Sequence, residues 1–383
     1  MGAHHPRHAA PETRSMRRLA LAVIVPIAVV TLALMVWLWP SSGTVATEQP
    51  AGVSELKGEI TAIQREDCPR GVDEDVNGCG TAQVRVTSGA EAGEQLETLL
   101  PSGPGAPEVA EGDAVVLIET STPDGAAYSI IDHQRATELW VLAVAFVLAL
   151  IAFGRWRGIT ALAGLALTFA LLLLFVVPAI LAGEPPLLVS IVGSSAIVLT
   201  VLYLTHGFAL STTVAVLGTL ASLTLTGLLS AASVAALHLT GVTDDISTSV
   251  VSTHSVNMEG LLLAGIVIGS LGVLDDVTVT QAATVTELAR ANPSYRFGQL
   301  YRAGSRVGRS HIASVINTIV LAYAGSSLPL LILIVADGAS FGGVVTDQII
   351  AQEIVRSAVA TLGLIAAVPV TTALAALASG KAT

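Results

Sequence analysis

Eight apolar stretches recur along this chain with few charges inside them: Leu19–Trp39, then 138–154, 158–182, 187–205, 211–238, 260–285, 311–335 and 354–378. A helix that crosses a bilayer needs about 20 mostly apolar residues, because lipid offers no partner to an unpaired backbone N–H or C=O. The pattern predicts an α-helical polytopic membrane protein with about eight transmembrane helices. Composition agrees, since only 12% of the 383 residues are charged, against about 25% in a soluble domain. The first stretch follows Arg17 and Arg18 and closes on Trp37, Trp39 and Pro40. It is longer than the roughly 7–15 apolar residues of a signal peptide and is followed by no clean small-x-small site, so it reads as an uncleaved anchor.

Charge divides the chain into two chemical parts. Residues 41–137 hold 17 acidic against five basic residues, a net of −12, whereas residues 138–383 hold 11 against nine, a net of −2. The expected domains are a tail at 1–18, the anchor at 19–39, a β-domain at 41–137 and a seven-helix membrane domain at 138–383. Short loops rich in Lys and Arg stay on the cytoplasmic side. Arg155 and Arg157, the arginines at 290–309 and Lys381 all fall on the side of the N-terminus if the spans alternate. Both termini are then expected in the cytoplasm of a bacterial cell and residues 41–137 outside it. Pro293–Ser310 interleaves Tyr295, Phe297, Leu300, Tyr301 and Val307 with four arginines, the pattern of an interfacial helix against anionic headgroups.

Between the first two spans, the runs GEITAIQ, TAQVRVT, DAVVLIE and AYSIID alternate with Gly, Pro and acidic residues. Several short strands in so few residues predict a small extracytoplasmic all-β domain of OB-like form. Such domains can bind oligonucleotides, but this one is acidic and repels phosphate, so no nucleic-acid partner is expected. Cys68 and Cys79 are candidates for a disulfide in an oxidising compartment. Asp73-Glu74-Asp75-Val76-Asn77-Gly78 matches the start of a calcium loop, yet Val84 stands where the bidentate Glu belongs. The segment therefore reads as an acidic turn.

Polar groups inside spans are costly and mark function by default. The densest group surrounds the sixth span: His254, Asn257 and Glu259, then LLLAGIVIGSLGVL, then Asp275, Asp276, Thr280 and Gln281. Two adjacent carboxylates repel when both ionise, so the pair is expected to hold a proton, as a proton relay or cation site requires. Asp276, Thr280, Thr284 and Glu287 share one helical face. Glu259 would lie about 24 Å from Asp275 on a straight helix. Only a break at Gly265, Gly269 or Gly272 would bring the two together, as in the discontinuous helices of transporters. Close helix packing through Gly265-x3-Gly269 is the other use of these glycines. Pairing of the aspartates with Arg306 or Arg309 is the structural alternative to an ion site. Asn317 serves as a ligand or as an interhelical hydrogen-bonding group, and Glu353 with Arg356 as a local salt bridge.

No GxxxxGK[ST] loop and no HExxH occurs, so the sequence points to no ATP-driven pump, no enzyme and no cofactor, and the identity of any metal stays open. At this point the residues resemble the YibE/F family of bacterial membrane proteins, over about residues 54–378. The likeness rests on GSLGVLDDV at 269–277, NTIVLAY at 317–323, QEIVRS from 352 with VPVT following, and GRWRG at 154–158. Members are described as membrane proteins or permeases. The resemblance implies that Asp276 occupies the shared aspartate position, while that of Asp275 is often apolar. The expectation is a permease or secondary transporter coupled to a cation or proton, with Asp276, Asp275, Asn317, Glu259, His254 and Thr280 as site candidates. Its partners would be the lipid bilayer and a small ion or small molecule, with self-association left open. The competing reading is a non-transporting scaffold or sensor whose outer domain binds a partner.

Overall fold

A computed structural model describes residues 14–40, 53–68, 76–89, 91–122, 125–242, 249, 252, 256–336 and 341–379. It comprises two compact units, Ala46–Phe153 and a second that joins Met1–Val45 to Gly154–Thr383.

The first unit is built on five antiparallel strands: β1 (Val53–Glu66), β2 (Cys79–Val86), β3 (Gln95–Leu99), β4 (Ala114–Thr122) and β5 (Gly125–His133), in the order β3-β2-β1-β4-β5. Alternation along β2 sends Ala82, Val84 and Val86 inward and leaves Arg85 exposed. Ala82 and Val84 meet Leu56, Ile60, Val115, Leu117 and Ile130 in a small apolar core. The long β1 pairs with β4 from Val53 to Glu59 and with β2 from Gly58 to Glu66, and a bulge between Ile60 and Ala62 interrupts the pairing with β2. A bulge bends a strand and raises its twist. The sheet curls accordingly, and Thr98 Oγ1 on β3 donates to the Tyr128 carbonyl on β5 at 2.7 Å.

Cys68 and Cys79 form a disulfide. Asp73 to Asp75 of the acidic turn lie outside the described residues. Asn77 is 3% exposed. Its Nδ2 donates to the Pro101 and Pro107 carbonyls at 2.8 and 2.9 Å, and its Oδ1 accepts the Val109 N–H at 2.9 Å. Asn77 thus ties two loops together, and Val84 is buried in β2, so neither position is available to a cation. The helix α2 (Ala136–Gly154) follows β5, with the Arg135–Asp132 ion pair at 2.5 Å before its first turn.

In the second unit the helices are α1 (Arg14–Trp37), α3 (Trp156–Leu181, with a π-helical turn at Leu172–Val176), α4 (Pro186–His206), α5 (Leu210–Ala236) and α6 (Met258–Ala291). They are followed by α7 (Phe297–Ser326), α8 (Leu328–Ala336), α9 (Phe341–Thr346) and α10 (Gln348–Ser379). Seven helices among the described residues are long and apolar enough to cross a membrane: α1 to α6 and α10. The eighth expected span, 311–335, is divided. Its first part is the end of α7, and its most apolar part is the nine-residue α8 beyond a turn at Ser327. Pro329 explains the division, because proline in a helix has no N–H to donate and its ring clashes with the carbonyl four residues earlier. The interfacial segment expected at Pro293–Ser310 is continuous with the span, since α7 runs from Phe297 to Ser326 in one helix.

Helix α6 is central and packs on α4, α5, α7 and α10. Small residues set these approaches. On antiparallel α5 and α10, Gly218 faces Thr371 and Gly363 faces Thr226, so a Cβ on either glycine would collide with the opposing Thr Oγ1. On α7, a Cβ at Gly304 would lie 2.7 Å from Val285 Cγ2, and one at Gly308 would lie 2.5 Å from Val368 Cγ1 and 2.7 Å from Gln281 Oε1. The packing role expected of Gly265-x3-Gly269 therefore belongs to Gly304-x3-Gly308. Gly265 and Gly272 would meet nothing within 4 Å, and Gly269 only the Tyr323 hydroxyl at 3.4 Å.

Two outcomes follow. Asn77→Ala is expected to destabilise the β unit by about 2–3 kcal/mol, through three lost hydrogen bonds and a stranded Val109 N–H, read as faster amide exchange at 101–109 in the full-length protein. Gly308→Leu should lower the detergent-solubilised unfolding midpoint by an amount corresponding to about 1–3 kcal/mol of overpacking or more. Gly272→Ala should leave the midpoint unchanged or raise it, and a fall equal to that of Gly308→Leu would contradict the packing assignment.

Candidate functional site

Helix α6 starts on Asn257, whose Oδ1 accepts the Gly260 N–H at 3.0 Å. Glu259 sits exposed in the first turn, where the helix dipole favours a carboxylate. From there the helix runs unbroken through Gly265, Gly269 and Gly272 to Ala291. The break that would have carried Glu259 to the aspartates is absent, because every glycine stays within regular helical backbone. Glu259 remains about 24 Å from Asp275. His254 lies outside the described residues.

The midpoint of α6 falls at Leu274 and Asp275. Asp276 is exposed and Asp275 half-buried. Asp276 continues the open face of α6 formed by Gly265, Gly269 and Gly272, and Thr280 follows it on the same face, also exposed. Asp275 is turned about 100° away. Among the described residues, the ion pairs of this unit are Arg290–Glu287 at 2.6 Å and Arg356–Glu353 at 2.9 Å. Neither aspartate belongs to one, and Arg306 and Arg309 are exposed on α7. The expected alternative of an Asp–Arg pair is therefore not formed.

Asn317 is exposed on α7. It lies about 200° around that helix from Ile319, which faces α6, so the structure does not bring Asn317 to Asp276. Ile319 and Tyr323 of α7 line a cavity of about 180 Å³ with Gly269 and Val273 of α6 and with Ala360 and Leu364 of α10. Its walls are mainly apolar. Asp276 lies one turn beyond Val273 on α6 and is not among the residues that line this space.

Sequence reasoning counted Gln281 in the polar group of this span but gave it no role, and it did not single out Thr278; the two form a buried polar knot just past the aspartates. Thr278 Oγ1 donates to the Asp275 carbonyl at 3.1 Å and shares a 2.6 Å hydrogen bond with Thr219 Oγ1 of α5. Gln281 Nε2 donates to the Gly304 carbonyl of α7 at 3.0 Å and to Thr372 Oγ1 of α10 at 2.7 Å. Four helices meet on these two side chains. The available signal was a buried-type helical spacing of polar residues on α6, matched by the Thr371–Thr372 pair. Among the described residues, no three His, Cys, Asp or Glu side chains gather as metal ligands do.

Long apolar helices packed through glycines, with carboxylates at the middle of the central one, define a multi-pass membrane protein. Residues 142–381, more than half of the chain, match the YibE/F-like protein family, and the chain belongs to it. The curled β-sheet lies outside the matched residues. No curated protein and no solved structure matches the chain.

Gln281→Leu is expected to loosen the four-helix junction by about 1–3 kcal/mol, two interhelical hydrogen bonds being lost. The thermal midpoint in detergent checks this, and an unchanged midpoint would show that the knot contributes no stability.

Proposed function

We propose that this protein is a permease or secondary transporter coupled to a proton or another cation, with Asp276 as its intramembrane ionisable group. One observation carries the reading: a carboxylate with no ion-pair partner among the described residues sits at the middle of the central helix, on its open face. A charge in that position costs a few kcal/mol at the bilayer centre, a cost that a purely structural bundle has no reason to retain. Asp275, half-buried beside it, tunes the charge of the pair. Glu259 and Asn317 are left out of the site, the first by distance along α6 and the second by its direction on α7.

In this reading the protein lies in the bacterial plasma membrane with both termini in the cytoplasm, α7 and α8 together supplying the eighth crossing. Residues 41–137 are outside, and their acidity gathers cations there. The sheet is OB-like: the order β3-β2-β1-β4-β5 and the Thr98–Tyr128 link between its outermost strands support a small barrel. A rigid scaffold is the second reading, favoured by the interlocked glycines and threonines of α5 and α10.

Flux separates the two. Reconstituted wild-type protein should move protons or divalent cations across proteoliposome membranes, and Asp276→Asn should lower that flux about tenfold or more, as loss of one ionisable step implies. Equal flux from both would remove Asp276 from the mechanism, and no flux from either would favour the scaffold.

A further inference from the structure

Next to the cavity between α6, α7 and α10, helix α10 carries a charged pair distinct from Asp276. Glu353, Arg356, Ala360 and Leu364 follow one another at spacings of three and four residues and so share one face of α10. Ala360 and Leu364 line the cavity. Arg356 therefore stands one turn along from it, on the same face. Arg356 Nη1 holds Glu353 Oε1 at 2.9 Å, and the side chains are 31% and 25% exposed. Tyr323 lines the cavity from α7, with its hydroxyl against Gly269.

The guanidinium is not used up by this contact. It carries five N–H donors in a fixed fork, and its Nε is buried without a hydrogen-bond partner. A buried donor left unmade is costly. A helix-surface ion pair needs no such fork, whereas a carboxylate or phosphate exploits it, because two of its oxygens match two guanidinium N–H groups. Glu353 is itself a carboxylate and already occupies part of the fork.

We propose that Arg356 binds a small oxyanion, a carboxylate- or phosphate-bearing solute, at the mouth of this cavity. Glu353 occupies the guanidinium when no ligand is bound, and the Tyr323 hydroxyl is a second donor to the ligand. The inference deepens the transport reading and rests on it for the coupling: the cation taken at Asp276 offsets the negative charge of a solute carried at Arg356. Binding itself does not depend on that reading.

The test uses the full-length protein in an uncharged detergent. Its unfolding midpoint is titrated with acetate and with inorganic phosphate at constant ionic strength, with chloride as the balancing salt. Wild type should show a saturable rise with acetate or phosphate that chloride does not reproduce. Glu353→Gln, which removes the resident competitor, should tighten the response about tenfold, and Tyr323→Phe should weaken it by a similar factor, the scale of one hydrogen bond to a charged group. Arg356→Lys should weaken it at least as much, because an ammonium cannot grip two oxygens at once. No response in wild type, or the same response in wild type, Glu353→Gln and Arg356→Lys, overturns the proposal. A rise with added phosphatidylglycerol but with neither soluble anion also overturns it, assigning the arginine to a lipid headgroup. The wild-type protein's anion response is read separately from its flux. Anion binding without flux would therefore sink the transport reading alone.

Discussion

The interlock of α5 with α10 is the contact on which the helical unit depends. Each helix presents a glycine to the other's threonine, Gly218 to Thr371 and Gly363 to Thr226, and the two contacts together set register and separation. Lipid tails are as apolar as leucine, so helices in a membrane gain little from hiding apolar side chains from one another. Close backbone approach and interhelical hydrogen bonds take over that role. With α5 and α10 set, α6 fits against both. Thr278 and Gln281 then complete the junction to α5, α7 and α10 through buried hydrogen bonds.

This arrangement explains why the middle of α6 can carry carboxylates at all. The helix is held on its remaining sides by α4, α5, α7 and α10, so it does not rely on the face that bears Asp276. That face carries Gly265, Gly269, Gly272, Asp276 and Thr280, all exposed, and Tyr323 of α7 approaches it at Gly269. Stability and ionisable chemistry are thereby assigned to opposite sides of one helix. The Glu353–Arg356 pair repeats the division on α10, where Gly363, Thr371 and Thr372 serve packing and the charged pair lies towards the other end of the helix.

The candidate residues were legible before the fold was known, but unevenly. Asp275 and Asp276 stood out because charge inside an apolar run is rare, and their place at the helix middle follows from the run's length. Glu353 and Arg356 were readable as a pair because three residues along a helix brings side chains together. Asn317 was misplaced, since hydropathy locates a residue along a helix and says nothing of the direction it faces. Gln281 was noticed but given no role for a related reason: a buried amide is recognised by its partners, and these come from α7 and α10, Gly304 and Thr372.

The sequence by itself determined that the chain is a helical membrane protein with a small acidic β-domain after its first helix. Bilayer thickness imposes a length on every span, and strand alternation and turn residues are local, so both can be read from short windows. Only the tertiary structure decided which glycines bring helices together, that α6 continues past three glycines, and that the stretch 311–335 is divided at Ser327. A glycine permits a break or a close approach equally well. Which one it makes depends on whether a neighbouring helix arrives at that point, and a neighbour is a long-range fact that no local pattern contains.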